Sequence, residues 1–273
     1  FTDSSNGLVS AGEKYGQFGT DFGDFNNDGW LDIGVCSFGA TMLTAYANDR
    51  NGSWIHSFPI DGGNTNGNNE AEFGDVNNDG NLDLTFDSEA GLVWFGDGKG
   101  GWTVTQNGIS EIGYGQSLGD INNDGFQDIS FVQTRSARPV VYKWTGSAWQ
   151  DASNGISTNL TWGATELADF DNDGNLDLAV AYSIQTKTGI DIYTGDGNGK
   201  WAPATSIPLS GGIVYGFRSP GDLDHNGFLD FVVTSSRDTG PANKPRVFLN
   251  DVSATSLSVT QVTPRGGERV YGG

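Results

Sequence analysis

The chain has 273 residues, of which 36% are hydrophobic and 42 are glycines, and its formal net charge is −20. So strong a negative charge argues against nucleic acids and anionic membrane surfaces as partners, because both bind basic patches. No apolar run reaches the length of about 18 residues that a membrane-spanning helix needs, so the sequence predicts no membrane insertion.

One pattern recurs five times along the chain, about every 50 residues. The copies read GDFNNDGWLDIGV, GDVNNDGNLDLTF, GDINNDGFQDISF, ADFDNDGNLDLAV and GDLDHNGFLDFVV. Each copy continues as an apolar run rich in β-branched residues, and no segment shows a helical period of useful length. Four short strands per repeat are typical of a propeller blade. We therefore predict an all-β fold, a β-propeller with five blades of four antiparallel strands.

The predicted propeller spans residues 1–262, with repeats at 1–53, 54–101, 102–148, 149–200 and 201–250. The opening FTDSSNGL matches WQDASNGI at 149–156, so the N-terminal strand is predicted to complete the last blade and close the ring. A further strand at 255–262 is predicted to join or flank this closure. A larger ring completed by unrecognised residues stays open as an alternative. Residues 263–273 are predicted to be a linker or the start of an Ig-like module.

Each copy begins with a loop of the form D-x-[DN]-x-[DN]-G-x-x-D, numbered here from its first aspartate as position 1. Calcium takes six to eight oxygen ligands, and alternate residues of a tight loop can point at one ion. Side chains at positions 1, 3, 5 and 9 and the carbonyl at position 7 are therefore predicted to bind about five calcium ions in all. The predicted ligands are Asp24, Asn26, Asp28, Trp30 and Asp32; Asp75, Asn77, Asp79, Asn81 and Asp83; Asp120, Asn122, Asp124, Phe126 and Asp128; Asp169, Asp171, Asp173, Asn175 and Asp177; and Asp222, Asp224, Asn226, Phe228 and Asp230.

Three other interpretations explain these loops less well. An EF-hand needs a glutamate at position 12, where this chain has only valine or phenylalanine. A dockerin needs a helix after the loop, whereas an alternating strand pattern follows here. Simple β-turns also favour Asp, Asn and Gly. Five loops in the same register favour metal binding over turns alone, and the fourth loop, with four carboxylates, is expected to bind calcium best.

An aromatic-glycine pair precedes four of the five loops, and the second copy has Asn69-Glu70 there, a hint of a specialised place. The pairs are Phe18-Gly19, Tyr114-Gly115, Trp162-Gly163 and Tyr215-Gly216. Loops with this lead-in resemble the FG-GAP/VCBS repeats of integrin α-subunit-like propellers, across most of residues 1–250. The resemblance implies blades around a central channel, calcium loops on one rim, and a ligand on a face or between blades. The chain departs from it in its blade count, since integrin-type rings usually have seven, and in Asn226.

Nothing in the sequence marks a catalytic set, so no enzyme is predicted. The two histidines are His56, on a predicted outer strand, and His225, inside a loop. The single cysteine, Cys36, excludes an intrachain disulfide and is expected to pack in the core. The acids outside the loops are scattered through the repeats: Glu13, Glu70, Glu89, Glu111 and Glu166.

The predicted function is a calcium-stabilised binding or adhesion module that takes a protein or glycan ligand on a propeller face. Loops of this kind bind calcium at roughly 10⁻⁴–10⁻³ M, which predicts an extracellular or cell-surface location. A lectin-type glycan binder, a non-catalytic spacer and, less favoured, a polysaccharide-active enzyme remain as alternatives. One tryptophan recurs per repeat, and recurrence at a fixed place favours packing between blades over ligand binding: Trp54, Trp102, Trp149 and Trp201.

Overall fold

A computed structural model describes twelve stretches of the chain. They are residues 3–8, 15–37, 43–57, 70–86, 93–105, 107–133, 136–157, 163–184, 187–209, 213–236, 245–251 and 259–262. These residues form strands and turns and contain no helix. Accordingly, no helix able to cross a membrane occurs in these stretches.

The strands of the described residues form five antiparallel sheets, each of four strands in chain order. The first sheet contains β1 (Tyr15–Gly23), β2 (Asp32–Ser37), β3 (Leu43–Asn48) and β4 (Trp54–His56). The second contains β5 (Ala71–Gly74), β6 (Asp83–Phe86), β7 (Val93–Gly96) and β8 (Trp102–Thr105). The third contains β9 (Tyr114–Gly119), β10 (Asp128–Val132), β11 (Pro139–Trp144) and β12 (Trp149–Asp151). The fourth contains β13 (Thr165–Ala168), β14 (Asp177–Ile184), β15 (Lys187–Gly195) and β16 (Trp201–Leu209). The fifth contains β17 (Ile213–Gly221), β18 (Asp230–Ser236), β19 (Arg246–Asn250) and β20 (Val259–Val262).

The sheets are arranged as in a β-propeller, with their first strands side by side. Successive first strands contact one another in the order β1, β5, β9, β13 and β17. The core is divided among clusters that lie between neighbouring sheets, each containing apolar residues of both. The predicted all-β propeller of four-stranded antiparallel sheets is thus confirmed. Each predicted repeat begins one strand before its sheet, because the aromatic strand that opens it is the fourth strand of the preceding sheet.

Three of the four recurring tryptophans pack between sheets, as predicted, whereas Trp54 is only partly buried and its indole N–H donates to the Ser4 carbonyl at 2.8 Å. Trp102 of the second sheet lies 5.3 Å from Phe25 of the first, between ring centroids. Trp149 shares a core cluster with Val76 of the preceding sheet, and Trp201 shares one with residues of the third sheet. These residues therefore contribute to stability by burying apolar surface.

The prediction that the N-terminal strand completes the last sheet was wrong for the described residues. β20 occupies that edge and pairs antiparallel with β19, from Val247↔Val262 to Asn250↔Val259. The β-branched residues of this segment favour a strand. The segment also follows β19 along the chain, so a local antiparallel return forms the pair. The predicted tail at 263–273 lies outside the described residues.

The N-terminal segment nevertheless has the conformation that its alignment predicts. The carbonyl of Asn6 accepts a hydrogen bond from the Trp54 N–H at 2.9 Å. Asn154, its counterpart in the matching segment, bonds the Trp201 N–H in the same way at 3.0 Å. Gly7 and Gly155 both have positive φ, where a Cβ would collide with the tryptophan carbonyl. Residues 3–8 thus connect to the first sheet as the corresponding segment connects to the fourth.

Candidate metal centre

The five loops share one backbone conformation. Position 4 is left-handed in every loop, with φ between 55° and 62°, and so is the glycine at position 6. The residues at position 4 are Asn27, Asn78, Asn123, Asn172 and His225. Asparagine tolerates this conformation and glycine adopts it freely. The glycine could be predicted from the sequence, whereas position 4 was missed, although asparagine recurs there in four of the five copies.

The carboxylate at position 1 stabilises the loop by accepting backbone hydrogen bonds from positions 5 and 6. In the fourth loop the two carboxylate oxygens of Asp169 accept hydrogen bonds from the backbone N–H groups of Asp173 and Gly174, at 3.1 and 3.0 Å. The side chain at position 3, Asp171, accepts a second bond from the Asp173 N–H at 3.1 Å. The other four loops repeat all of these contacts. The backbone thus directs the oxygens of positions 1 and 3 toward the loop interior.

The carboxylate at position 9 fastens the loop to the sheet behind it. In the fourth loop one oxygen of Asp177 accepts the Phe170 N–H at 2.9 Å and the other accepts the Gly195 N–H at 3.0 Å. Phe170 is loop position 2 and Gly195 ends the third strand of the sheet. The same two bonds occur in the other loops. All five position 9 aspartates are fully buried: Asp32, Asp83, Asp128, Asp177 and Asp230.

Burial makes these position 9 carboxyl groups hard to ionise. It raises the pKa of Asp83, Asp128 and Asp177 to about 7, against the hydrogen bonds that favour the charged form. Coulombic repulsion from the other loop aspartates acts in the same direction. Burial likewise raises the pKa of Asp171 at position 3. Each of these centres would therefore gain from a bound cation.

In two loops the carboxylates converge closely enough for one ion. Oxygens of Asp169, Asp171 and Asp177 all lie within 4.8 Å of one another, and so do those of the fifth loop's Asp222, Asp224 and Asp230. The other three loops have asparagine at position 3, so an amide oxygen takes the place of one carboxylate. All these donors are oxygens, the ligands that calcium prefers, and an oxygen bonded to one N–H keeps a second lone pair. The residues present therefore fit calcium.

The first and fifth loops differ from the others at position 5. The guanidinium of Arg50 lies 2.8 Å from Asp28, and this hydrogen-bonded partner lowers the pKa of that carboxyl group. Asn226 of the fifth loop donates through its amide nitrogen to the Asn250 carbonyl at 2.9 Å. His225, at position 4 of this loop, is exposed beside it.

Neighbouring loops contact one another. The amide nitrogen of Asn27 donates to the side-chain oxygen of Asn81 in the second loop, at 2.9 Å. The amide nitrogen of Asn172 donates to the carbonyl of Gly227 in the fifth, at 2.6 Å. A Cβ at Gly125 would lie 3.1 Å from the Asn78 amide nitrogen, which places the second and third loops side by side. The loops therefore lie along one edge of the sheets, and position 4 links them.

A second charged cluster lies among the first strands of the sheets and is called here the channel cluster: Glu70, Glu72, Glu166 and Arg218. Arg218 of β17 forms an ion pair with Glu70 and lies 3.3 Å from Glu166 of β13. Its guanidinium also approaches the Gln116 carbonyl of β9 at 3.5 Å. One side chain thus contacts the second, third and fourth sheets from the fifth.

The channel cluster corrects the interpretation of the acids outside the loops as scattered. Glu70 and Glu166 are brought together by Arg218, and Glu111 is buried elsewhere. Glu13 and Glu89 lie outside the described residues. The unusual Asn69-Glu70 pair of the second copy supplies one of the arginine's partners. Arg218 could not be recognised from the sequence, because its contacts with Glu166 and Glu70 span 52 and 148 positions of the chain.

The acids of the channel cluster also take part in a repeated link between sheets. Glu72 accepts the Leu118 N–H of the next sheet at 3.3 Å, and Glu166 accepts the Ser219 N–H at 3.0 Å. Each lies three residues before the first aspartate of its loop, the place that Asp21 and Ser117 occupy in their own sheets. Asp21 and Ser117 accept the Phe73 and Leu167 N–H groups in the same way, at 2.7 and 3.1 Å.

Replacing Glu72 by glutamine is expected to stabilise the protein at alkaline pH. Burial raises the pKa of Glu72 to about 8 and that of Glu70 to about 7, far above the value near 4.5 of an exposed glutamate. The folded state therefore binds more protons than the unfolded state between these values, and wild-type stability falls as pH rises from 5 to 8. Glu72→Gln keeps the acceptor for Leu118 and should be more stable than wild type by roughly 1–2 kcal/mol at pH 8.

The measurement is urea unfolding at pH 5 and pH 8 with calcium held constant. Asp151→Asn, which changes an exposed residue on the fourth strand of the third sheet, is the matched control and should follow the wild-type pH dependence. If the free energy of unfolding falls equally for wild type and Glu72→Gln between pH 5 and pH 8, burial does not raise the pKa of Glu72.

Comparison with known proteins gives one family. The sequence model described as FG-GAP-like repeat matches residues 24–86, 120–180 and 169–233, which together cover more than half of the chain and all five loops. The last match extends through the fifth loop to the end of its sequence pattern. No curated protein sequence matches the chain.

Two solved structures are similar in outline. One is a candidate exo-beta-1,3-galactanase from Bifidobacterium bifidum, with 12% identity, a TM-score of 0.46, and coverage of 92% of this chain and 93% of the other. The second is a candidate 6-phosphogluconolactonase from Bacteroides uniformis, with 13% identity and a TM-score of 0.38. The match covers 96% of this chain but only 59% of that protein. At these values neither structure indicates what this chain does.

Proposed function

The chain belongs to the FG-GAP-like repeat family, and on that premise we propose that it is a calcium-stabilised module that binds a protein or glycan ligand outside the cell. The observation that carries the proposal is the repetition of one oxygen-lined loop five times along one edge of the sheets. Because the same acidic loop occurs in all five sheets, we assign it a structural role. The ligand is then bound by another part of the propeller.

We assign the calcium ligands to the side chains of positions 1, 3, 5 and 9 and to the carbonyl of position 7. A bound ion supplies positive charge between carboxylates that otherwise repel one another, and it adds cross-links within each loop. Position 9 connects the loop to the sheet, and position 4 connects it to its neighbour. Occupied loops would therefore make the whole edge rigid.

An extracellular location follows from the expected affinity. Loops of this charge bind calcium at roughly 10⁻⁴–10⁻³ M, so they fill only where calcium reaches millimolar concentrations. The high negative charge of the chain is compatible with that setting, because five bound ions would reduce −20 to −10.

The ligand is assigned to the edge opposite the loops. Every loop has eight residues between its flanking strands, whereas the connections from the second to the third strands vary from two to nine residues. The shortest is 185–186 and the longest is 237–245. Constant length suits a scaffold, and variable connections held on a rigid frame are where binding residues concentrate. This division favours a binding module over a spacer.

The test is an array of glycans and extracellular proteins probed with the labelled chain, once in calcium and once in chelator. We expect saturable binding to one class of ligand in calcium and its loss in chelator. An unrelated protein of similar negative charge controls for nonspecific attraction. Folded, calcium-bound protein that binds nothing on the array would support a spacer, and turnover of a polysaccharide would support an enzyme; either result overturns the proposal.

A further inference from the structure

The first three loops have the same side-chain ligands but different surroundings. Each has aspartate at positions 1, 5 and 9 and asparagine at position 3. In all three the carboxylate at position 1 accepts the same two backbone N–H groups. A difference in calcium affinity among these loops would therefore arise from residues outside the loop pattern.

The turn between the third and fourth strands is one place where the surroundings differ. In the first, second and fourth sheets an aspartate begins this turn and accepts the backbone N–H groups two and four residues later. The next residue is left-handed in each turn, with φ of 64°, 66° and 68°. It is Arg50 in the first sheet, whereas Gly98 and Gly197 hold this place in the other two. Arginine thus has a backbone conformation that glycine adopts more readily, which points to a role for its side chain.

The Arg50 side chain bonds the position 5 carboxylate of the first loop. Its guanidinium contacts one oxygen of Asp28 through two nitrogens, at 2.8 and 3.2 Å, and approaches the Asp28 carbonyl at 3.4 Å. The other oxygen of Asp28 accepts the Trp30 N–H at 2.9 Å. The same backbone bond from position 7 occurs in the second, third and fourth loops. The oxygen that Arg50 contacts is therefore the one that this bond leaves available to an ion.

The first sheet also has room for this side chain. In the second and fourth sheets the turn glycine packs against the asparagine at loop position 7, because a Cβ on Gly98 or Gly197 would lie 2.1 or 2.2 Å from the asparagine side-chain oxygen. Position 7 of the first loop is Trp30, which is 49% exposed. Arginine in the turn and tryptophan in the loop thus occur together in one sheet, where the other two sheets have glycine and asparagine.

We infer that Arg50 is a counter-ion built into the first loop, which competes with calcium for Asp28. The inference rests on the calcium assignment of the proposed function. The guanidinium stays charged at any pH at which the carboxylates are ionised. A calcium ion in this loop would have to displace the guanidinium from Asp28 or bind beside a like charge, and either lowers the affinity.

The effect is large enough to set the order in which the loops fill. An exposed ion pair changes an equilibrium by up to about fivefold, and repulsion between the guanidinium and a divalent ion adds to this. We therefore expect the first loop to need roughly tenfold more calcium than the second and third loops. When calcium falls, the first loop would release its ion first, but Asp28 would remain paired with Arg50.

The test follows the position 6 glycine of each loop during a calcium titration by two-dimensional amide NMR. The N–H of this glycine donates to the position 1 carboxylate in all five loops, so its signal reports ion binding in its own loop. In the wild-type chain we expect Gly29 to respond at roughly tenfold more calcium than Gly80 and Gly125. In Arg50→Gln the calcium midpoint of Gly29 should fall to that of the other two glycines.

Lys99→Gln is the matched control. Lys99 follows Gly98 in the corresponding turn of the second sheet and is exposed, so its replacement removes the same charge beside the second loop. Because Lys99 forms no ion pair with a ligand of that loop within the described residues, the Gly80 midpoint should not change. Arg50→Gly, which gives the turn the residue of the second and fourth sheets, replaces Arg50→Gln if circular dichroism shows that the glutamine variant does not fold.

Two kinds of failure can be told apart. If Gly29 responds together with Gly80 and Gly125 in the wild-type chain, or keeps its midpoint after Arg50 is replaced, then Arg50 does not compete with calcium and only this inference is overturned. If none of the position 6 glycines responds to calcium, the calcium assignment of the proposed function is wrong, and the inference fails with it.

Discussion

Removal of calcium is expected to lower the melting temperature of this protein by about 15 °C or more. Ligand that binds only the folded state stabilises it by RT ln(1 + [L]/Kd). With dissociation constants of roughly 10⁻⁴–10⁻³ M and about 10 mM calcium, each loop contributes about 1.4–2.7 kcal/mol. Five loops together contribute roughly 7–13 kcal/mol, and each kcal/mol corresponds to at least about 2 °C for a chain of this size.

The electrostatics of the loops support so large an effect. Sixteen of the 34 acidic residues are loop aspartates, and they face one another in groups of three or four. Three position 9 carboxyl groups have a pKa raised to about 7 by burial, so the loops without an ion combine repulsion with partial protonation. A bound divalent ion reduces the repulsion between the carboxylates and favours their ionised form.

The measurement is calorimetric melting in 10 mM calcium and in excess chelator at one pH and ionic strength. Chelator saturated with calcium controls for effects of the chelator itself, and magnesium at the same concentration should stabilise less, because it dehydrates reluctantly and demands octahedral geometry. Isothermal titration should give about five ions per chain, and about four for Asp169→Asn with Asp171→Asn. A melting temperature unchanged by chelator would overturn the calcium assignment.

The repeated parts of this structure could be predicted from the sequence because each depends on local chemistry. Asp, Asn and Gly at fixed places specify a tight loop, and the β-branched runs that follow specify strands. Five copies in register then specify a propeller. The same reasoning explains the tryptophans, since Trp102, Trp149 and Trp201 each pack at an equivalent place between sheets.

The parts that occur once could not be predicted in this way. Arg218 has no counterpart in the other copies, and its partner Glu70 is 148 positions away in the chain. The last sheet uses β20, where the alignment favoured the N-terminal strand, because a segment that follows directly along the chain pairs more readily than a distant one. An internal repeat specifies its own unit, but it carries no information on how the first and last units are completed.

The position 9 aspartates have a structural role that the sequence pattern did not predict. The pattern D-x-[DN]-x-[DN]-G-x-x-D marked them as metal ligands, which remains a prediction. The structure adds that both oxygens bind backbone N–H groups of the loop and of the third strand. The spacing of the ligands within the loop does not reveal this second role, because one of the donors is on another strand. In the fourth sheet this donor, the Gly195 N–H, is 18 positions from Asp177 in the chain.

Replacing Asp177 by alanine is therefore expected to destabilise the protein even without calcium. The side chain is fully buried, and its removal leaves the Phe170 and Gly195 N–H groups without their acceptor in the interior. An unsatisfied buried donor costs about 1–3 kcal/mol, so the free energy of unfolding in chelator should fall by roughly 3 kcal/mol. Asp173→Ala, at position 5 of the same loop, removes an exposed carboxylate that bonds only the Asn175 N–H within the loop, and it should cost less than about 1 kcal/mol in chelator.

Urea unfolding of both variants in calcium and in chelator separates the two roles of position 9. Asp173→Ala should lose most of its stability difference from wild type when calcium is removed, because it acts only through the ion. Asp177→Ala should keep roughly 3 kcal/mol of its difference in chelator, because the bonds between loop and sheet are independent of metal. If Asp177→Ala in chelator unfolds within 0.5 kcal/mol of wild type, on the order of a neutral surface change, the buried carboxylate serves calcium alone and the sheets hold the loops by packing.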